Sequence, residues 1–128
     1  MDSMAFDHIL IVVSDLEKSR EFYELIGFRH VRTIDRGSDR VCVMEMGDIK
    51  LEMMCFPEGE ETYRRQRRLT DVGFRHFGIR VEDVEDIYNQ LKQHIEFDSP
   101  PRMIKSRPGR LTVFFRDPDG MEIHFVQE

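Results

Sequence analysis

The chain contains no tryptophan and only two cysteines among its 128 residues. Cys42 and Cys55 match neither a zinc spacing nor the paired pattern of a disulfide scaffold, so two half-buried thiols are expected. No apolar run approaches the roughly 20 residues of a membrane span. The N-terminus lacks the basic-then-apolar layout of a secretory signal, so a cytoplasmic protein without a membrane partner is expected. A basic excess is also missing. Nineteen Lys and Arg face 25 Asp and Glu, a formal charge of −6, which argues against a nucleic-acid partner. The one dense cationic run, YRRQRRL at 63–69, has no aromatic stacking platform beside it. It reads as a solvated arm, with 60–68 a candidate lid. What is present is a core: 40% of residues are apolar and ten are Phe, enough for one domain spanning 1–128.

The chain repeats itself. FDHILIVVSDLEKSREFYE (6–24) aligns with FRHFGIRVEDVEDIYNQLK (74–92). Phe6 meets Phe74, His8 meets His76, Ile11 meets Ile79, Val13 meets Val81, Asp15 meets Asp83 and Glu17 meets Glu85. Each half opens with an apolar strand, 6–13 or 74–81. A polar break then starts a helix. In the first half, Ser14 and Glu17 form an S-x-x-E capping box, Leu16, Phe22, Tyr23 and Ile26 form the apolar stripe, and Gly27 supplies the stop. In the second, Asp83 sits near the start, and Val84, Ile87, Tyr88 and Leu91 form the stripe. Three strand-like runs follow each helix: 28–35, 40–46 and 49–56, then 96–105, 110–117 and 121–127. The turns fall at Gly37-Ser38-Asp39, Gly47-Asp48, Pro108-Gly109 and Asp117-Pro118-Asp119-Gly120. The expected organisation is α+β: two βαβββ modules, about 5–56 and 74–127, joined by a linker at 57–73.

Polar residues interrupt this pattern at matched places. His8 and His76 break the first strand of each half. Glu52 and His124 sit in the last strand of each half and correspond if one insertion is allowed. Singly, each has an ordinary reading: a hydrogen-bonded core histidine, or a carboxylate on a solvated face. Together, the repeat yields three imidazoles and one carboxylate, a donor set for a divalent transition metal. Glu122 lies two residues before His124, so both point to one face while Met121, Ile123 and Phe125 take the other.

The stretches DHILIVVSDLEKSREFYELIGF, KLEMMCFP, RHFGIRVED and FFRDPDGMEIHF resemble the vicinal oxygen chelate superfamily over nearly the whole chain. That superfamily includes glyoxalase I, fosfomycin-resistance enzymes, extradiol dioxygenases and bleomycin-resistance proteins. The resemblance implies paired βαβββ modules forming a half-open eight-stranded sheet that cups a metal. It implies His8, Glu52 and His76 as ligands, with the fourth at the position of His124, where the family usually has Glu. His124 is favoured there, with Glu122 as the alternative ligand. The implied ion is Zn, Ni, Co, Fe or Mn, the implied partner a small-molecule substrate, and the implied assembly a homodimer.

The resemblance further implies glyoxalase I-like lyase or isomerase chemistry, in which Glu52 or Glu122 moves the proton. Other members suggest an Fe(II) ring-cleavage dioxygenase, a thiol transferase of the fosfomycin-resistance type, or a non-catalytic drug-binding protein. Val12 stands where glutathione-using relatives carry an Arg, and an apolar side chain binds no carboxylate. Arg107 and Arg110, beside Pro108-Gly109, are charged residues of a solvent-facing hairpin and candidate anion contacts. Tyr23, Tyr63 and Tyr88 receive no chemical role from the motifs.

Overall fold

A computed structural model describes residues 3–56, 70–105 and 107–127. Two compact units divide the chain, Met1–Arg64 and Arg65–Glu128. The Arg-rich run, Tyr63 and the candidate lid lie outside the described residues.

The first unit runs β1 (His8–Val12), α1 (Leu16–Leu25), β2 (Arg29–Asp35), β3 (Arg40–Met46) and β4 (Ile49–Cys55). The second runs β5 (His76–Arg80), α2 (Val84–Leu91), β6 (Arg102–Met103), β7 (Leu111–Arg116) and β8 (Glu122–Gln127). The sheet orders are β1-β4-β3-β2 and β5-β8-β7-β6. In each sheet the first strand pairs parallel with the last, and the remaining pairs are antiparallel. The duplicated βαβββ topology read from the repeat is therefore present, with the eight strands hydrogen-bonded four and four.

Two boundaries differ from the sequence reading. The cap of α1 is Asp15, not Ser14: its backbone is extended and its carboxylate accepts from the Lys18 N–H at 3.1 Å. Asp83 does the same for Asp86 N–H at 3.0 Å. A carboxylate at this point satisfies an orphan donor and complements the helix dipole. The second difference is the expected strand 96–105, which shrinks to Arg102–Met103 plus an isolated bridge between Phe97 and Phe115. Pro100 and Pro101 lie in its middle, and neither has an N–H to give a ladder.

Alternation sorts the strands into two faces. In the first unit, Leu51, Met53, Cys42 and Met44 are buried. Tyr23, wholly buried, meets Phe28 edge-to-face at 5.7 Å. In the second, Ile123, Phe125, Val113 and Phe115 are buried, and Phe115 and Phe125 stand 4.8 Å apart with Phe97 beside both. Each such side chain contributes about 1.5–3 kcal/mol through burial. These contacts oblige the opposite face of β4 and β8 to carry the polar residues. Cys42 is fully buried rather than half-buried; Cys55 is half-buried and its thiol donates to the Ser14 carbonyl at 3.6 Å.

Candidate metal centre

The strand registers establish the internal equivalence of the candidate ligands. Leu10 pairs with Glu52 in the first unit, and Gly78 pairs with His124 in the second. Leu10 and Gly78 are themselves equivalent in the repeat, so Glu52 and His124 occupy matching sites. Two residues earlier along both strands, His8 pairs with Lys50 and His76 with Glu122.

In the first unit, His8 Nδ1 lies 2.8 Å from Asp7 Oδ2 and 3.7 Å from Glu52 Oε2. The hydrogen bond to Asp7, then the charge of Glu52, raises the His8 pKa. Asp7, His8 and Glu52 each offer a donor atom, all within 4.8 Å of one another. Donors around one ion at about 2.1 Å stand roughly 3–4 Å apart, so this group would have to draw in slightly to close on a cation. Glu52 is half-buried, and among the described residues its ion-pair partner is His8.

In the second unit, His76 Nδ1 donates to Glu122 Oε2 at 2.8 Å. Glu122 is also approached by Arg75 Nε at 3.3 Å and by Arg116 at 3.9 Å. Its carboxylate is therefore engaged by three cation-capable groups and is only 13% exposed. His124 stands apart from that cluster. Its ring stacks on Phe114 at 4.6 Å and 14°, and its Nδ1 lies 2.8 Å from Thr112 Oγ1. The His76 and His124 rings are 4.8 Å apart. Two imidazoles sharing one ion at about 2.1 Å have ring centres roughly 4.5–5.5 Å apart, so this spacing fits joint ligation.

Burial, reinforced by the charge of His76, pushes the His124 pKa down to about 4. The ring is thus neutral at pH 7 and offers a lone pair, as a metal ligand must. Arg110 and Arg102 add to the depression. Arg102 lies over the Phe114 ring at 5.4 Å.

A carboxylate accepts only, so Nδ1 carries the proton in both His8 and His76, and Nε2 is left for a metal. This carboxylate-to-imidazole contact is the usual support of a ligating histidine. The two halves supply it differently. Asp7, just before the strand, serves His8, and Glu122, across the strand, serves His76. The supporting charges are reversed between halves: Asp7 with Lys50 at 3.9 Å, Arg75 with Glu122 at 3.3 Å.

The sequence reading missed Asp7, Arg75, Thr112, Gly78 and Arg102. Asp7 and Arg75 were findable, since each directly precedes a singled-out histidine. The others depend on cross-strand register. The Asp117-Pro118-Asp119-Gly120 turn fixes the start of β8. Asp117 Oδ1 accepts from Asp119 N–H at 2.9 Å and Met121 N–H at 2.8 Å, and Gly120 takes a positive φ of 92°.

The model of the glyoxalase/bleomycin resistance protein/dioxygenase superfamily matches residues 5–125. A glyoxalase family protein from Enterococcus faecalis has a similar crystal structure, with TM-score 0.82 and 27% identity over 99% of this chain and 100% of that one. The crystal structure of SMU.1112c gives TM-score 0.81 and 30% identity over 98% of this chain and 99% of that one. Uncharacterized protein YwkD from Bacillus subtilis (strain 168) is 28% identical over 125 residues, 94% of each chain. The chain belongs to the glyoxalase/bleomycin resistance protein/dioxygenase superfamily.

Proposed function

We propose that the protein is a metal-dependent enzyme, a glyoxalase I-like lyase or isomerase whose small substrate presents two adjacent oxygens. His8, Glu52, His76 and His124 hold one divalent ion, which is Zn, Ni, Co, Fe or Mn. The observation that carries this reading is the matched support of the imidazoles. His8 and His76 each give their Nδ1 proton to a carboxylate, and His124 is held neutral on the same face as His76. When bound, the ion supplies Lewis-acid stabilisation of negative charge developing on substrate oxygen.

The chain's own groups divide the remaining work. Glu52 is a ligand able to detach, and it is then the carboxylate that takes and returns the proton, because it is half-buried and its protein partner, His8, holds it only at 3.7 Å. Glu122 is committed to His76, Arg75 and Arg116, and serves to hold the His76 ring. Arg102, stacked on Phe114 beside His124, offers a cation to an acidic substrate group. Val12 is exposed on the His8 face and contributes no such charge.

Elemental analysis after loading with Zn, Ni, Co, Fe or Mn tests the metal. Loss of methylglyoxal–glutathione hemithioacetal absorbance tests the lyase, and oxygen uptake with catechols tests the dioxygenase. One ion per chain with lyase or isomerase turnover is expected. A protein that retains no ion under any loading condition would overturn the reading.

A further inference from the structure

Thr112 is fully buried, and its hydroxyl has two neighbours: His124 Nδ1 at 2.8 Å and the Phe125 carbonyl oxygen at 3.0 Å. A hydroxyl has one proton to give. The carbonyl only accepts, so the Thr112 proton goes to Phe125. The His124 nitrogen must then be the donor in the other bond. Phe114 stacked against the ring at 14° fixes its plane.

The other side of the ring faces Gly78. A Cβ at Gly78 would stand 2.6 Å from His124 Nε2 and 3.0 Å from Cδ2. Gly78 is not among the glycines with positive φ, so the backbone does not demand glycine there; the space does. The internal repeat provides the control. Leu10, at the equivalent position, sits beside Glu52, so this strand site accepts a large side chain when no imidazole opposes it. To restore ordinary contact the distance must grow from 2.6 to at least 3.4 Å. That retreat comes out of the Thr112 bond or the Phe114 stack.

We infer that Gly78 and Thr112 are positioning residues for His124: together they fix the ring so that Nδ1 carries the proton and Nε2 presents the lone pair. The benefit to a metal rests on the ligand role proposed above; the tautomer does not.

The test uses the metal-free protein at pH 7, labelled with 15N, in which long-range proton–nitrogen correlations report each ring nitrogen. His124 is assigned by its loss in His124→Phe. Wild type should show a protonated Nδ1 and a bare Nε2. Thr112→Val should shift His124 toward a protonated Nε2, and Thr112→Ser, which restores the hydroxyl, should return the wild-type pattern. Gly78→Ala should displace the His124 signals, whereas Leu10→Ala should leave them in place. Zn2+ affinity should fall about 10–100-fold in Thr112→Val and Gly78→Ala and little in Thr112→Ser. A protonated Nε2 in wild type overturns the inference, as does an unchanged His124 pattern in Thr112→Val. If Thr112→Val does not fold, Gly78→Ala decides: unmoved His124 signals there overturn the inference too. Absence of Zn2+ binding by wild type would remove the proposed function, while the nitrogen shifts still decide the tautomer.

Discussion

Replacing Asp117 by Ala should unlock the turn that sets the register of β8. Its Oδ1 accepts two backbone N–H groups, from Asp119 at 2.9 Å and Met121 at 2.8 Å, and the residue is only 5% exposed. Truncation leaves both donors without that oxygen in a site water reaches poorly. A net hydrogen bond is worth about 1 kcal/mol, and an orphaned buried donor costs about 1–3 kcal/mol. Partial rescue by water brings the expected total to roughly 2–4 kcal/mol. For a chain of this size that lowers Tm by roughly 8–15 °C. Asp117→Asn keeps a carbonyl oxygen in place and should lose no more than about 1 kcal/mol. Urea denaturation should show a lower midpoint with an unchanged slope. Because β8 carries both Glu122 and His124, metal affinity should fall with stability. An Asp117→Ala protein within about 0.5 kcal/mol of wild type, or an Asp117→Asn protein as damaged as Asp117→Ala, would show that the carboxylate does not hold this turn.

Three further outcomes are expected. The His124 pKa in the folded protein, about 4, is below the ordinary 6.5, so the folded state binds fewer protons between those values. The contribution of His124 to the stability of metal-free protein should be complete above about pH 6.5 and be lost as pH drops toward 4, by about 2–3 kcal/mol after allowance for partial exposure. Chemical denaturation at several pH values checks this, and His124→Phe should flatten that part of the profile. Arg75→Ala should loosen Glu122 from His76 and cost less than about 1 kcal/mol, since the pair is partly exposed; a double-mutant cycle with Glu122→Gln measures the coupling. Cys42 is fully buried and burial raises its thiol pKa, whereas Cys55 is half-buried. An aromatic disulfide reagent should therefore find one accessible thiol in native protein and two after denaturation.

The fold was largely readable because both halves kept the same punctuation. Histidine in the first strand, Asp at the helix start and a glycine-bearing turn before the last strand recur in each half. The Ser14 capping box misled because S-x-x-E describes composition, whereas the cap is decided by which residue turns extended. The repeat held the answer, since Asp15 and Asp83 align and both cap. The strand at 96–105 failed because two prolines outweigh its flanking hydrophobes.

At the candidate site, His8, His76, Glu52 and His124 are visible as breaks in apolar alternation. Their supports are not. Asp7 lies outside the strand, where alternation says nothing about direction. Thr112 and Gly78 meet His124 only through the pairing of β5, β7 and β8, which no spacing along the chain encodes.

In the proposed centre three imidazoles and Glu52 hold one ion, with Glu122 outside the coordination sphere. X-ray absorption at the zinc edge of Zn-loaded protein counts the imidazoles directly. Three are expected in wild type, two in His124→Ala, and three in Glu122→Ala, with affinity in the last about 10–100-fold weaker. Two imidazoles in wild type, unchanged by His124→Ala, together with loss of an oxygen ligand in Glu122→Ala, would contradict it.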